Sequence, residues 1–293
     1  MRSRPIFNHA LQSFKDTIRP NAHNAQLIRS ARAELASILS MPPHASTARN
    51  DDMAPHETRN AESELTAHNP DPYLAVHIRR GDRHASSFPY RGKYVPLENY
   101  VDAARDAWSR LYNEDVFGES ANFPAPPIVY VASDSHATAH DFVSAFPAST
   151  AVFSLDSSTD PALRGLAPQH EYVQQEFNRM ELEDRVRLTR GMVVDLAMLS
   201  GLWAWEGDVV PGATICTLRY GKMCSYLCGT DENYCSSTIC RLSAVGHGFD
   251  RAFGFDDGKA HPSGSINDKT KRWIELDNRG NIAPSWTAFE VFA

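Results

Sequence analysis

The sequence predicts an α/β protein built on a Rossmann-like parallel sheet, with a helical N-terminal segment in front of it. Short apolar runs of strand length at 73–78, 128–132 and 151–155 alternate with longer segments of helical periodicity. This alternation is typical of a parallel sheet covered by helices. The runs are apolar at nearly every position, as expected for strands that are buried on both faces.

The elements before the first strand are predicted to be helical. In residues 1–40, apolar side chains recur at helical spacing on both sides of Arg19-Pro20-Asn21, which predicts two helices with a break between them. Residues 41–72 are rich in proline and polar residues and poor in large apolar ones, which predicts a flexible linker or loop. The predicted sheet domain occupies residues 73–293.

The remaining elements follow the same alternation. Helical periodicity predicts helices over 97–111 and 182–202, and Ser133-Asp134 can cap another helix after the second strand. A fourth strand is predicted at 214–218, and a helix is predicted from Ser236 to Gly246. In such sheets ligands bind beyond the carboxyl ends of the strands, so the residues that directly follow each strand are candidates for function.

Composition narrows the possible functions. The 293 residues contain 29 Lys and Arg and 36 Asp and Glu, for a net charge of −7. This balance disfavours a general nucleic-acid binder, which usually presents a basic surface. The sequence contains no apolar run of the roughly 20 residues that a membrane helix needs, and no apolar segment of the signal-peptide kind is visible after Met1.

The most distinctive candidate site is the segment His77-Ile78-Arg79-Arg80-Gly81-Asp82-Arg83, which directly follows the first predicted strand. Arginine forks bind phosphate oxygens through two parallel charge-assisted hydrogen bonds, and His77 adds another donor. The alternative is a solvated basic turn that is paired with nearby carboxylates. The position at the carboxyl end of a strand favours an anion site.

Two further segments carry polar groups that could join this site. Ser236 and Ser237 precede a predicted helix, whose free N–H groups can bind phosphate, although local sequence alone favours a plain N-cap. Asp195 lies inside an apolar helix, where a carboxylate is costly without a partner. It can accept hydrogen bonds from the N1–H and N2–H of guanine, or it can pair with Arg187 or Arg190.

The sequence does not indicate a metal site. Cys224, Cys228, Cys235 and Cys240 are irregularly spaced and lack the paired Cys-x-x-Cys segments of a zinc site. Asp256-Asp257-Gly258 lacks the remaining ligands of a calcium loop and the carboxylate spacing of a metal-dependent sugar transferase, so a plain turn is the better interpretation.

Taken together and in order, these segments resemble the α1,6-fucosyltransferases, their bacterial nodulation relatives and, more distantly, the protein O-fucosyltransferases. The similarity extends over approximately residues 73–249. It rests on His77–Asp82, Val129–Asp134, Asp195–Ser200, and Cys216–Leu218 with Ser236–Arg241.

The resemblance implies the donor-binding half of a GT-B glycosyltransferase, which binds GDP-fucose and inverts the anomeric centre without a metal or other cofactor. The acceptor would be a glycan or a glycoprotein. Arg79 would grip the β-phosphate and serve catalysis, with His77, Arg80 and Asp134 also at the donor. Asp195 would recognise guanine.

The resemblance further places Ser236 and Ser237 on the diphosphate and implies a secretory or Golgi location. An inverting transfer needs a base for the acceptor hydroxyl, and Asp82 and Glu98 are the candidates that the sequence offers. The alternatives are a catalytically inactive remnant that binds a GDP-sugar, and a structural α/β domain whose arginines only form ion pairs.

Two features differ from the family. Most of the upstream half has no counterpart, so we expect residues 1–40 to be a remnant of it. Residues 219–235 separate the Cys216 strand from the serine helix, and codons at both ends can contain splice-site sequences. We interpret this insert as a retained intron, with a genuine surface loop as the alternative. The family implies a disulfide between Cys216 and Cys240 once the insert is removed.

Overall fold

The structure is a computed structural model, and it describes residues 3–40, 73–81, 84–85, 93–112, 128–146, 150–217, 219–221, 235–236, 238–255 and 270–276. The predicted linker at 41–72 therefore lies outside the described residues. The helices of the described part are α1 (Ser3–Asp16), α2 (Ala22–Ser40), α3 (Leu97–Tyr112), α4 (His136–Ser144), α5 (Pro161–Arg164), α6 (Gln174–Arg179), α7 (Leu182–Ser200), α8 (Thr238–His247) and α9 (Phe249–Phe253). Its strands are β1 (Tyr73–Ile78), β2 (His84–Ala85), β3 (Val129–Ser133), β4 (Val152–Phe153), β5 (Pro211–Cys216), β6 (Arg219–Gly221), β7 (Cys235–Ser236) and β8 (Trp273–Glu275).

A five-stranded parallel sheet forms the centre of the fold. Its order is β4-β3-β1-β5-β8, and all neighbouring strands are parallel. Along the chain, β3 and β4 add to one side of β1, and β5 and β8 then add to its other side. The order reverses between β1 and β5, and this switch point is where open α/β sheets usually bind ligands. The predicted parallel α/β sheet is confirmed.

Helices cover both faces of this sheet because alternate strand residues are apolar on each side. One face packs Tyr73, Ala75 and Tyr130 against α2 and α7. The opposite face packs the side chains of Leu74, Val76, Val129, Val131 and Ile215 against α3 and α4. The predicted N-terminal helices are confirmed, and Leu27, Ile28, Ala31 and Leu35 of α2 belong to the same buried core as the sheet.

Several element boundaries differ from the sequence prediction. The fourth predicted strand is β5, which begins three residues earlier and ends at Cys216. Helix α4 is capped by the Ser135 side chain, which accepts from Thr138 N, rather than by the predicted Ser133-Asp134 pair. Among the described helices, none has the length and apolar character needed to cross a membrane.

Candidate functional site

The carboxyl ends of β1 and β3 bring the arginine motif beside the second predicted segment. The two strands are parallel neighbours, with Ile78 opposite Ser133, so the next residues, Arg79 and Asp134, emerge side by side. The site therefore lies at the carboxyl edge of the sheet, at the ends of β1 and β3 and beside the switch point between β1 and β5.

Arg79 and Asp134 form the polar centre of this edge. The Nε of Arg79 lies 3.1 Å from Oδ2 of Asp134, and the side chains are only 17% and 11% exposed. The backbone N–H of Arg80 donates to Oδ1 of the same carboxylate at 2.6 Å. Burial raises the pKa of Asp134, whereas Arg79 and the Arg80 N–H oppose that rise. Asp134 thus fixes the Arg79 guanidinium at the end of β1.

An aromatic residue that the sequence reasoning missed covers Arg79. The guanidinium carbon of Arg79 lies 4.8 Å from the centre of the Tyr172 ring, a cation–π geometry. The N–H of Tyr172 donates to the Asp134 carbonyl at 3.0 Å. Gly81 makes this close approach possible, because it has a φ of +66° and an added Cβ would lie 2.1 Å from the Tyr172 carbonyl oxygen. Tyr172 lies between two short helices, where no periodic pattern singles it out.

The second arginine of the motif has different surroundings. The Nη2 of Arg80 donates to the Val95 carbonyl at 3.0 Å, and its guanidinium lies 4.8 Å from the Tyr94 ring centre. Tyr94 in turn donates its hydroxyl to the Gly81 carbonyl at 2.6 Å. Arg80 is therefore buried against the segment before α3, and its observed contacts hold the turn of the motif in place.

His77 is buried near the end of β1 and contacts the first turn of α8. Its Nδ1 lies 3.2 Å from Sγ of Cys240, and that thiol donates to the Thr217 carbonyl at 3.2 Å. Burial lowers the pKa of His77, but Cys240 and Asp134 outweigh that effect, so the pKa lies above its ordinary value. His77 also electrostatically lowers the pKa of both Asp134 and Asp195.

Cys216 and Cys240 form no disulfide in the chain with residues 219–235 present. Cys216 at the end of β5 and Cys240 in α8 are both buried free thiols. Cys240 uses its sulfur for the His77 and Thr217 contacts instead. The disulfide that the resemblance implies concerns the chain without the insert, and for that form it stays a prediction.

Asp195 has a hydrogen-bond partner that was not predicted. The hydroxyl of Tyr130, the second residue of β3, donates to Oδ1 of Asp195 at 2.6 Å. The sequence alternative of a salt bridge with Arg187 is not observed, since Arg187 contacts Asp184 and the Gly165 carbonyl instead. Burial raises the pKa of Asp195 to about 6, although the Tyr130 hydrogen bond lowers it.

The predicted alternative with Arg190 is not observed either, because no contact between Arg190 and Asp195 occurs among the described residues. Tyr130 lies within an apolar strand segment, so the sequence pattern predicts a core residue and does not indicate that its hydroxyl binds a carboxylate.

Asp195 borders a narrow cleft at the carboxyl edge of the sheet. The cleft is lined by the end of β3, the turn after β4 and the segment before α6, with the residues Val131, Ala132, Ser133, His136, Ala139, Ser154, Leu155, Asp156, Ala167, Pro168 and Asp195. The half-buried carboxylate of Asp195 thus lies beside a narrow, mostly apolar cleft.

The remaining predicted residues lie partly outside the described chain. Asp82 and Ser237 are not described, and Glu98 is exposed in the first turn of α3. Ser236 lies in β7, where it pairs with Arg219 of β6 in an antiparallel ladder. Helix α8 begins two residues later, at Thr238, so Ser236 belongs to a strand rather than to the start of the helix, where the sequence predicted it.

The first and last residues of the insert at 219–235 belong to this ladder. Because Arg219 is opposite Ser236, the two ends of the insert lie next to each other. Strand β6 also pairs with His84–Ala85, which follow the arginine motif closely in the chain. The described ends of the insert therefore adjoin the candidate anion site.

Within the described ranges, no group of three or more His, Cys, Asp or Glu side chains has the geometry of a metal site. No protein-family model matches the chain, and a search of curated proteins finds no match.

Proposed function

We propose that the chain is a GDP-sugar-dependent glycosyltransferase of the inverting type, with the parallel sheet as the donor half of a GT-B enzyme. The observation that carries the proposal is the geometry at the carboxyl end of β3, where Asp134 binds Arg79 and Asp195 borders the cleft that Ser133 also lines. A cation suited to a diphosphate and a carboxylate suited to guanine thus adjoin the same end of β3.

The carboxylate accounts for guanine as the base. Guanine presents two adjacent N–H donors, N1–H and N2–H, which a carboxylate can accept together. The Tyr130 hydroxyl holds Oδ1 of Asp195 in place, and the cleft beside it is mostly apolar. Uracil has one such N–H and adenine lacks the adjacent pair, so both should bind less tightly.

The arginine accounts for a leaving group that carries charge. In the transfer, the bond between the anomeric carbon and the β-phosphate oxygen breaks, and GDP departs with the electron pair. A fixed guanidinium that is already oriented by Asp134 and Tyr172 stabilises this developing charge without reorganisation. The acceptor hydroxyl loses its proton to a base and attacks from the opposite face, which inverts the centre.

The resemblance makes fucose the proposed sugar and a glycan or glycoprotein the proposed acceptor, in the secretory pathway or Golgi. The alternative is a GDP-sugar-binding remnant without activity. It is favoured by the pairing of insert strand β6 with His84–Ala85, close to the arginine motif, where additional structure can restrict the site.

The test is release of GDP from GDP-fucose by the full chain. The matched variant is Arg79→Lys, which keeps the positive charge but lacks the bidentate guanidinium. Transfer to a mixed glycan acceptor, with the product inverted and the rate reduced by the substitution, supports the enzyme. Binding of GDP-fucose without any transfer supports the remnant. Absence of GDP-fucose binding contradicts both.

A further inference from the structure

We infer that a second pocket, between α2, α6 and α7, is a subsite for an acceptor saccharide that carries a carboxylate or another oxyanion. This inference rests on the proposed function, because it names the acceptor chemistry of the same enzyme. The pocket has a volume of about 390 Å³, within the range of small-molecule sites. It is lined by Asn21, Asn24, Phe177, Leu182, Arg185, Val186, Thr189 and Arg190.

The charge of the pocket comes from two arginines of α7. Among the described residues, neither Arg185 nor Arg190 has a carboxylate partner. The Nε of Arg185 is also buried without a hydrogen bond. Arg187, on the same helix but outside the pocket, is paired with Asp184 at 3.5 Å. In a chain of net charge −7, two guanidiniums in one pocket that have no carboxylate partner in the described part of the chain indicate an anionic ligand.

The rest of the lining suits a sugar. Phe177 offers an aromatic ring and Leu182 and Val186 offer apolar surface to the C–H face of a pyranose, whereas Thr189 and the asparagines can bond its hydroxyls. The Oδ1 of Asn24 is buried without a hydrogen-bond partner, so an acceptor is available for a ligand hydroxyl. A buried polar atom of this kind is costly unless something satisfies it.

The pocket is joined to the proposed diphosphate site through two aromatic rings. The Phe177 ring lies 5.5 Å from the Tyr172 ring, and the Tyr172 ring lies 4.8 Å from the Arg79 guanidinium carbon. The Tyr172 ring therefore lies between Phe177, which lines the pocket, and the Arg79 guanidinium. A saccharide fits this pocket of about 390 Å³ better than an acidic peptide, which needs a longer surface with repeated contacts.

The test uses two probes that differ in one group. One probe is the disaccharide of glucuronic acid and N-acetylglucosamine, and the other is its carboxyl-reduced, neutral counterpart. Binding of each to the full chain is measured by NMR titration at low salt. We expect the acidic disaccharide to bind at least about tenfold more tightly than the neutral one, because a charge-assisted bidentate contact is lost in the second.

The variants assign that preference to the pocket. Arg185→Gln and Arg190→Gln should each weaken binding of the acidic disaccharide by about tenfold and leave the neutral one almost unchanged. Arg29→Gln is the matched control, since Arg29 is an exposed arginine of α2 outside the pocket. Equal affinity for the two disaccharides, no binding of either, or insensitivity to both pocket substitutions would overturn the inference.

Two further measurements separate the possible failures. GDP is titrated into the same variants, and we expect Arg185→Gln to leave the GDP affinity unchanged. If the unsubstituted chain does not bind GDP, this result refutes the proposed function rather than the pocket. A glutamate-rich peptide is added as a competitor. If it displaces the acidic disaccharide at equal concentration, the pocket binds acidic peptides and the saccharide assignment is wrong.

Discussion

Substituting Asp195 by asparagine should stabilise the free protein while it removes guanine recognition. The pKa of this carboxyl rises from 3.8 to about 6 on folding, so the folded state disfavours the ionised form. That difference corresponds to about 3 kcal/mol when the group is fully ionised, and solvent access to the half-buried side chain reduces it to about 1–2 kcal/mol. The amide that replaces the carboxyl group would keep an oxygen that accepts from the Tyr130 hydroxyl.

The sign of the effect sets its pH window. Because the folded pKa is raised, the cost of ionising Asp195 is fully present above about pH 6 and disappears as the pH falls toward 4. Asp195→Asn should therefore raise the melting temperature by about 2–8 °C at pH 8 and change it little at pH 4. Calorimetry at both pH values measures this, with Asp141→Asn on the exposed face of α4 as the control.

A melting temperature that falls at pH 8, or rises equally at both pH values, would refute this reasoning. A fall at pH 8 would mean that the fold favours the ionised form of Asp195, and an equal rise at both pH values would mean that the gain does not come from its ionisation.

Four further results are expected. Tyr130→Phe removes a hydrogen bond that lowers the pKa of Asp195, so the pH below which GDP binding weakens should move upward from about 6, whereas UDP binding measured alongside should not shift. Arg79→Lys should weaken GDP and UDP binding alike by about tenfold in calorimetric titration, because lysine lacks the fork. Gly81→Ala should lower the melting temperature, because a Cβ would lie 2.1 Å from a backbone oxygen. Deleting residues 219–235 should leave the circular dichroism spectrum almost unchanged, because the ends of the insert are adjacent, and should tighten GDP binding; equal affinity in both forms would make the insert a tolerated loop.

The central sheet was predictable because its strands are apolar on both faces. Residues 73–78 read as a continuous apolar run, and the structure forms β1 over the same residues. The position of Arg79 and Asp134 at one edge also followed, since both directly succeed such runs and parallel strands end at the same side.

Other parts depend on contacts between distant segments, which a single sequence does not encode locally. Strand β8 consists of three residues, too short for a period to be read, and it becomes a strand by pairing with β5. Tyr172 reaches Arg79 only after the chain has passed through β4 and α5. Arg80 has the same side chain as Arg79, yet its guanidinium donates to the Val95 carbonyl and does not join the polar edge formed by Arg79 and Asp134.

The most direct test of the central claim is a calorimetric titration of GDP, UDP and ADP into the full chain at pH 7.5 under identical salt. The three ligands carry the same diphosphate, so any difference in affinity reports recognition of the base. A site formed by Arg79 and Asp195 predicts that GDP binds at least about tenfold more tightly than UDP or ADP, and that Asp195→Asn abolishes this preference. Equal affinity for the three nucleotides, or no binding of GDP at all, would contradict the claim.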